Sequence, residues 1–117
     1  MSEFQKLEAW QMAMELAEAV YKSTRIFPKE EIYGLTSQIR RAVVSIPCNI
    51  AEGAARAGAK EFLQFLHIAR GSASELETQL LLAGKLGYLS AADDLMARLA
   101  SVKRLVNGLI RSLKEAT

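Results

Sequence analysis

The sequence holds one cysteine, Cys48, one histidine, His67, and two prolines, Pro28 and Pro47, among 117 residues. A lone cysteine excludes a disulfide framework within the chain. One Cys and one His cannot complete a tetrahedral structural zinc site, so no metal is expected. Aromatic residues make up only 7%, and none is interleaved with the C-terminal cations, which leaves stacking on single strands without support. Long apolar runs are also missing. The longest lies at about Leu80–Gly84, far short of the ~18 residues that span a membrane. The opening Met1-Ser2-Glu3-Phe4 lacks the basic start and apolar run of a secretion signal. A soluble, cytoplasmic protein is expected. Phosphate loops, G-x-G-x-x-G, H-E-x-x-H and G-x-S-x-G motifs do not occur, so neither a cofactor nor an enzyme is expected.

What is present is hydrophobicity at 50%, enough to exclude disorder, in a length that fits one domain over residues 1–117. A chain of this size buries roughly two-thirds of its unfolded surface. The net charge of +2 hides an uneven distribution. Residues 1–31 carry four basic and six acidic groups, and residues 75–94 are net acidic by three. Residues 40–70 are net basic by three, and residues 98–114 carry five cations with no acid. A locally basic patch is therefore compatible with a nearly neutral whole.

Apolar residues three and four apart predict four helices. The first is expected over about Glu3–Arg25, with Leu7, Trp10, Met14, Ala17, Tyr21 and Thr24 inward, ended by Phe27-Pro28. The second covers about Leu35–Ala55, with Leu35, Ile39, Val43, Ile46 and Ile50 inward and a kink at Pro47, which deletes one backbone hydrogen bond. The third covers about Ala59–Leu86, with Phe62, Leu66, Ala69, Ala73, Leu76, Leu80 and Ala83 inward. Gly87 is its expected left-handed cap, and Ser90 with Asp93 would cap the fourth helix. There Leu95, Leu99, Val102, Val106, Leu109 and Leu113 form a seven-residue repeat. Short connections force antiparallel neighbours. The expected fold is an all-α, up-down-up-down four-helix bundle.

Some apolar residues exceed the needs of one core. Val44, Cys48, Ala51 and Ala55 stand opposite the inner stripe of the second helix, and Leu63, Leu81 and Leu82 lie off the core arc of the third. Ala9, Met12 and Leu16 fall outside the expected inner stripe of the first. Scattered surface apolars are ordinary, but aligned ones mark interfaces. Val44, Cys48, Ala51, Ala55, Leu63 and Leu81 are therefore candidates for a contact between copies of the chain.

Folding the second and third helices back at Gly58 sets side by side residues whose numbers add to about 113–117. Cys48 then approaches His67, with Ser45 near the same turn, but a nucleophile–base pair needs a third, orienting group and none can be named. The same register sets Arg40 and Arg41 against Glu75 and Glu77. They are read as ion pairs joining the two helices, with phosphate binding as the other reading. On the fourth helix Lys103, Arg104, Arg111 and Lys114 project from a face of small residues and suit a phosphate backbone. A solvated helix face is the competing reading. Arg56, Lys60 and Arg70 form a second basic candidate.

Tyr33-Gly34-Leu35-Thr36-Ser37-Gln38-Ile39-Arg40-Arg41-Ala42, followed by Ser45-Ile46-Pro47-Cys48-Asn49-Ile50-Ala51-Glu52-Gly53, resembles the 23S rRNA intervening sequence proteins. Glu61-Phe62-Leu63-Gln64-Phe65-Leu66, Gly71-Ser72, Ser74–Leu80 and Leu86-Gly87-Tyr88-Leu89 continue the likeness over nearly the whole chain. Members of that family are small helical bundles, some encoded inside sequences inserted in ribosomal RNA genes. The similar accessory variability proteins of diversity-generating retroelements form pentameric barrels that bind nucleic acid and a reverse transcriptase. The resemblance implies a homo-oligomer, a pentamer by analogy, whose partner is RNA or a reverse-transcriptase-like nucleoprotein. Cys48 stands where the resemblance leads one to expect serine. A purely structural or protein-interaction module without nucleic-acid affinity is the alternative.

Overall fold

The computed structural model describes residues 3–90 and 92–116, the side chains of Ala92 and Asp93 excepted. It is a rod of 46 × 22 × 21 Å built from four helices. They are α1 (Glu8–Thr24), α2 (Leu35–Ala54), α3 (Ala59–Lys85) and α4 (Ala92–Ala116). Each packs on its neighbour in sequence and α4 closes on α1, which encloses one central core. The protein is an all-α four-helix bundle.

Register is visible where polar groups meet across helices. Ser45 of α2 shares a 2.8 Å hydrogen bond with Ser72 of α3, while Gly53 lies against Phe62 and Phe65. Numbers on α3 fall as those on α2 rise, so the two helices run in opposite directions. Asn49 Nδ2 donates to the Ser45 carbonyl at 2.7 Å and to its hydroxyl at 2.9 Å, extending this polar link along the edge of α2. Glu52 takes no part in it and turns to Arg56. The helix runs unbroken through the buried Pro47.

The apolar stripes of α2 and α3 face inward as expected. Leu35, Ile39, Val43, Ile46 and Ile50 are buried, as are Leu66, Ala69, Ala73, Leu76, Leu80 and Ala83. Phe62 is half-buried against this core. Gly87 adopts φ +80°, the left-handed conformation that glycine enters without strain. Its N–H reaches the Gly84 carbonyl at 3.1 Å and the Tyr88 N–H reaches the Ala83 carbonyl at 2.9 Å, a Schellman ending of α3. The expected Ser90–Asp93 cap depends on a side chain outside the described residues.

Two stripes need correction. On α1 the core face is Ala9, Ala13, Leu16, Val20 and Thr24, whereas Met14 and Tyr21 are exposed and Leu7, Trp10 and Ala17 only half-buried. Apolar residues occupy both faces of this helix. Its alanines allow close approach, so the smaller stripe is the buried one. The helix also starts later than expected. An extended Leu7 separates a 3-10 turn at Glu3–Lys6 from α1. On α4 the buried series is Leu95, Leu99, Val102, Val106 and Ile110, with Leu109 and Leu113 half-buried. A straight α-helix drifts about 20° per heptad from a strict seven-residue repeat, so the inner position passes to Ile110.

At one end of the rod the two connections meet. The Tyr88 hydroxyl donates to Glu31 at 2.9 Å and its ring packs on Phe27 at 5.4 Å. The Glu31 carboxylate, as hydrogen-bond acceptor and negative neighbour, holds the Tyr88 hydroxyl above its ordinary pKa. Ile26, Ile32 and Tyr33 of one connection and Leu81, Leu82 and Leu86 of the last turns of α3 remain exposed around this end.

Candidate nucleic-acid interface

The basic residues of α3 and α4 are positioned by the register between those helices. Lys103 Nζ donates to Glu77 at 2.6 Å, and Arg70 Nη1 donates to the Asn107 amide oxygen at 3.4 Å. The paired numbers add to 180 and 177, which marks α3 and α4 as running in opposite directions. Below Lys103 on α4, this register brings Arg70 beside Arg111 and Lys114. They line an open groove of about 580 Å³, together with Asn107, Ile110 and Glu115.

Arg70 is held for this position on both sides. Besides Asn107, its Nη2 meets His67 Nδ1 at 3.0 Å. A guanidinium can only donate, so Nδ1 is the accepting atom of this contact. The groove is thus lined by three cations and one acid, with an amide between them. Guanidinium forks match phosphate oxygens in pairs, and a row of such cations suits a polyanion.

The expected basic stripe of α4 is divided by the fold. Lys103 is not available as a phosphate contact, because its half-buried ammonium is paired with Glu77. Arg104 is exposed and donates to Ser101 at 3.1 Å, beside a second groove that α4 forms with Leu7, Glu8 and Ala9. Arg111 and Lys114 stay together and gain Arg70. The second expected patch does not assemble. Arg56 is paired with Glu52 at 2.9 Å and Glu61 at 3.9 Å, and its guanidinium lies 5.1 Å from the Phe65 ring centroid. Lys60 is exposed, ten residues or about 15 Å along α3 from Arg70.

The expected ion pairs of Arg40 and Arg41 with Glu75 and Glu77 are not formed. Arg40 turns to α1, where Nε donates to Thr24 Oγ1 at 2.9 Å and the guanidinium lies 4.7 Å from the Tyr21 ring centroid. Glu77 is taken by Lys103. Arg41 and Glu75 border the same shallow groove without an ion pair between them. Position 40 faces the α1–α2 seam, because α2 touches two helices and the Gly58 register describes only one.

Of the interface candidates, Val44, Cys48, Ala55 and Leu81 are exposed and Ala51 is half-buried. Leu63 is half-buried and packs on the core, so it contributes to the protomer itself. Cys48 is a free, exposed thiol, and the His67 Nδ1 is bonded to Arg70. The partnership of Arg70 with Arg111 was within reach of the sequence. Folding α3 back at Gly87–Ser90, like α2 at Gly58, pairs 70 with 107.

Among the described residues no three His, Cys, Asp or Glu side chains gather as a metal site, and no helix is long and apolar enough to cross a membrane. The fold and its groove define a four-helix bundle with a basic seam. Residues 5–108 match the family described as 23S rRNA-intervening sequence protein, and the chain belongs to that family. The resemblance carried by Tyr33–Gly53 is borne out. A crystal structure from Bacteroides thetaiotaomicron VPI-5482, a protein with unknown function from the S23 ribosomal protein family, has a similar fold. The two are 22% identical with a TM-score of 0.62, over 92% of this chain and 96% of that one. A search among curated proteins returns no match.

Proposed function

We propose that the protein is a non-catalytic, self-associating bundle that binds RNA through the α3–α4 groove. One observation carries this reading: Arg70, Arg111 and Lys114, from two helices, converge on one groove around the Asn107 amide. The family name supplies the class of polyanion. Binding through few phosphate contacts per protomer is weak, tolerant of sequence and strongly salt-dependent, because each neutralised phosphate releases counterions. Fluorescence anisotropy with structured and single-stranded RNA at two salt concentrations is the test. Affinity for both that falls steeply with salt is expected. No binding by the wild type at low salt would overturn the reading.

Self-association strengthens such binding, since copies of the groove on one assembly raise the effective concentration and can lift avidity by ~10²-fold. Its support is the row Val44, Cys48, Ala51 and Ala55 on α2, small and apolar where a solvated face carries charge. A cyclic assembly, a pentamer by family analogy, is proposed. Ala51→Glu places a charge in that contact at a cost of about 3–5 kcal/mol per buried, unpaired site, so the assembly is expected to dissociate. Light scattering that finds the wild type already monomeric at micromolar concentration would contradict this.

The exposed apolar end formed by Ile26, Ile32, Tyr33, Leu81, Leu82 and Leu86 favours a second reading, a protein-interaction module without nucleic-acid affinity. Failure of every RNA titration is the result that would select it.

A further inference from the structure

We propose that the junction of α1 and α2 is a binding site for a phosphoryl group. The site is a cavity of about 250 Å³ whose lining includes Arg25, Lys29, Arg40, Thr24, Thr36 and Phe27. Three cations and no carboxylate line it.

Arg40 is the most deeply set of the three cations. It is half-buried, and its partners are all neutral: the Thr24 hydroxyl at 2.9 Å, the Tyr21 carbonyl at 3.4 Å and the Tyr21 ring. Among the described residues no carboxylate lies within ion-pair distance of it. Buried or half-buried arginines are ordinarily paired, and this one has two further cations beside it instead. The nearby Glu31 is committed elsewhere, accepting from the Leu35 N–H at 3.0 Å and from Tyr88 at 2.9 Å.

Thr36 adds an independent sign. It lines the cavity, is only 5% exposed, and its hydroxyl has no hydrogen-bond partner. Buried hydroxyls are normally satisfied. The Thr36 oxygen is covered in the observed rotamer, but no bond holds it there, so a turn about χ1 is what would present it as a donor to a ligand in the cavity. Together the site offers three positive charges and a spare hydroxyl to an acceptor-rich anion.

The charge selects the ligand class. A phosphomonoester carries about −1.5 to −2 at pH 7 with three strong acceptor oxygens. A single carboxylate would leave two of the cations repelling each other. Free orthophosphate and the terminal phosphate of an oligonucleotide share this chemistry. The site is separate from the α3–α4 groove. Leu7–Ala9, which meet Arg104 and Leu109, lie at the far end of α1, about 24 Å from Thr24 by helix rise.

The test titrates the ¹⁵N-labelled full chain with orthophosphate at constant ionic strength, with chloride as the control anion. Saturable amide shifts confined to the segment from Thr24 to Arg40 are expected. Arg25→Gln and Lys29→Gln alter exposed side chains and leave the fold intact, and each should weaken binding about tenfold by removing one charge-assisted contact. Thr36→Val removes an unpartnered buried hydroxyl. It should leave the melting temperature unchanged or raised while phosphate affinity falls, a combination that a structural role would not produce. Oligonucleotides with a 5′-phosphate or a 5′-hydroxyl identify the source. Shifts in this segment with the phosphorylated strand alone assign an RNA end, and shifts with orthophosphate alone assign a free phosphate. No saturable shift with either, or shifts unchanged in the Arg25→Gln/Lys29→Gln double variant, would overturn the proposal.

Discussion

Gly53→Val is expected to remove about 3 kcal/mol of stability, a large part of the 5–15 kcal/mol that holds a domain of this size together. A Cβ on Gly53 would stand 2.8 Å from the Phe65 Cβ and 2.9 Å from Phe62 Cδ1, with the Phe62 carbonyl oxygen at 3.3 Å. The first of these atoms is anchored next to the α3 backbone and the last is part of it. Neither can swing aside, so the two helices must part. Gly53→Ala meets the same contacts but gains helix propensity of ~1 kcal/mol, which offsets part of the overpacking. A net loss near 1 kcal/mol is expected for it. Urea unfolding of both variants checks the order. Valine no worse than alanine would mean that the α2–α3 seam can open without cost.

Arg70→Glu combined with Arg111→Glu should abolish RNA binding while leaving the bundle folded. Both side chains are exposed, and Arg70 gives up only contacts to Asn107 and His67 at the surface. The change turns two of the three groove cations into acids, so a phosphate backbone is repelled where it was held. Each lost contact also lowers the salt dependence of what binding remains. Circular dichroism should overlay the wild type. Undiminished affinity would place the binding surface elsewhere, and Arg104 with its groove beside α1 becomes the next choice.

How much of this was legible in the sequence depended on contrast within each helix. On α2 and α3 the continuous apolar stripe is the buried one, and Val44, Ile68, Leu81 and Leu82 stay exposed away from it. On α1 the contrast is false. Leu7, Trp10, Met14 and Tyr21 make the bulkier stripe, yet the core takes Ala9, Ala13, Leu16 and Val20, because fit against α2 and α4 decides between two apolar faces. The motif ending in Gly53 was legible as a family likeness without a reason. The reason is a close approach to α3 that only coordinates display.

The candidate site was half legible. Arg111 and Lys114 were recognisable as a basic pair, but their partner Arg70 belongs to another helix and required the α3–α4 register. Lys103 looked as accessible as its neighbours, and only the same register reveals Glu77 opposite it. The Gly58 register sets Arg40 against α3 alone, although α2 also packs on α1. Arg25, Lys29 and Arg40 carry no linear motif at all, and the turn at Phe27-Pro28 is what gathers them.

The central claim, that RNA lies along the α3–α4 groove, is tested most directly by ultraviolet crosslinking of the wild-type protein to RNA, with the crosslinked peptides mapped by mass spectrometry. The account predicts crosslinks from His67 through Arg70 on α3 and from Asn107 through Lys114 on α4, disappearing at high salt. Crosslinks concentrated around Arg56 and Lys60, or confined to the apolar end near Tyr33 and Leu86, would contradict it.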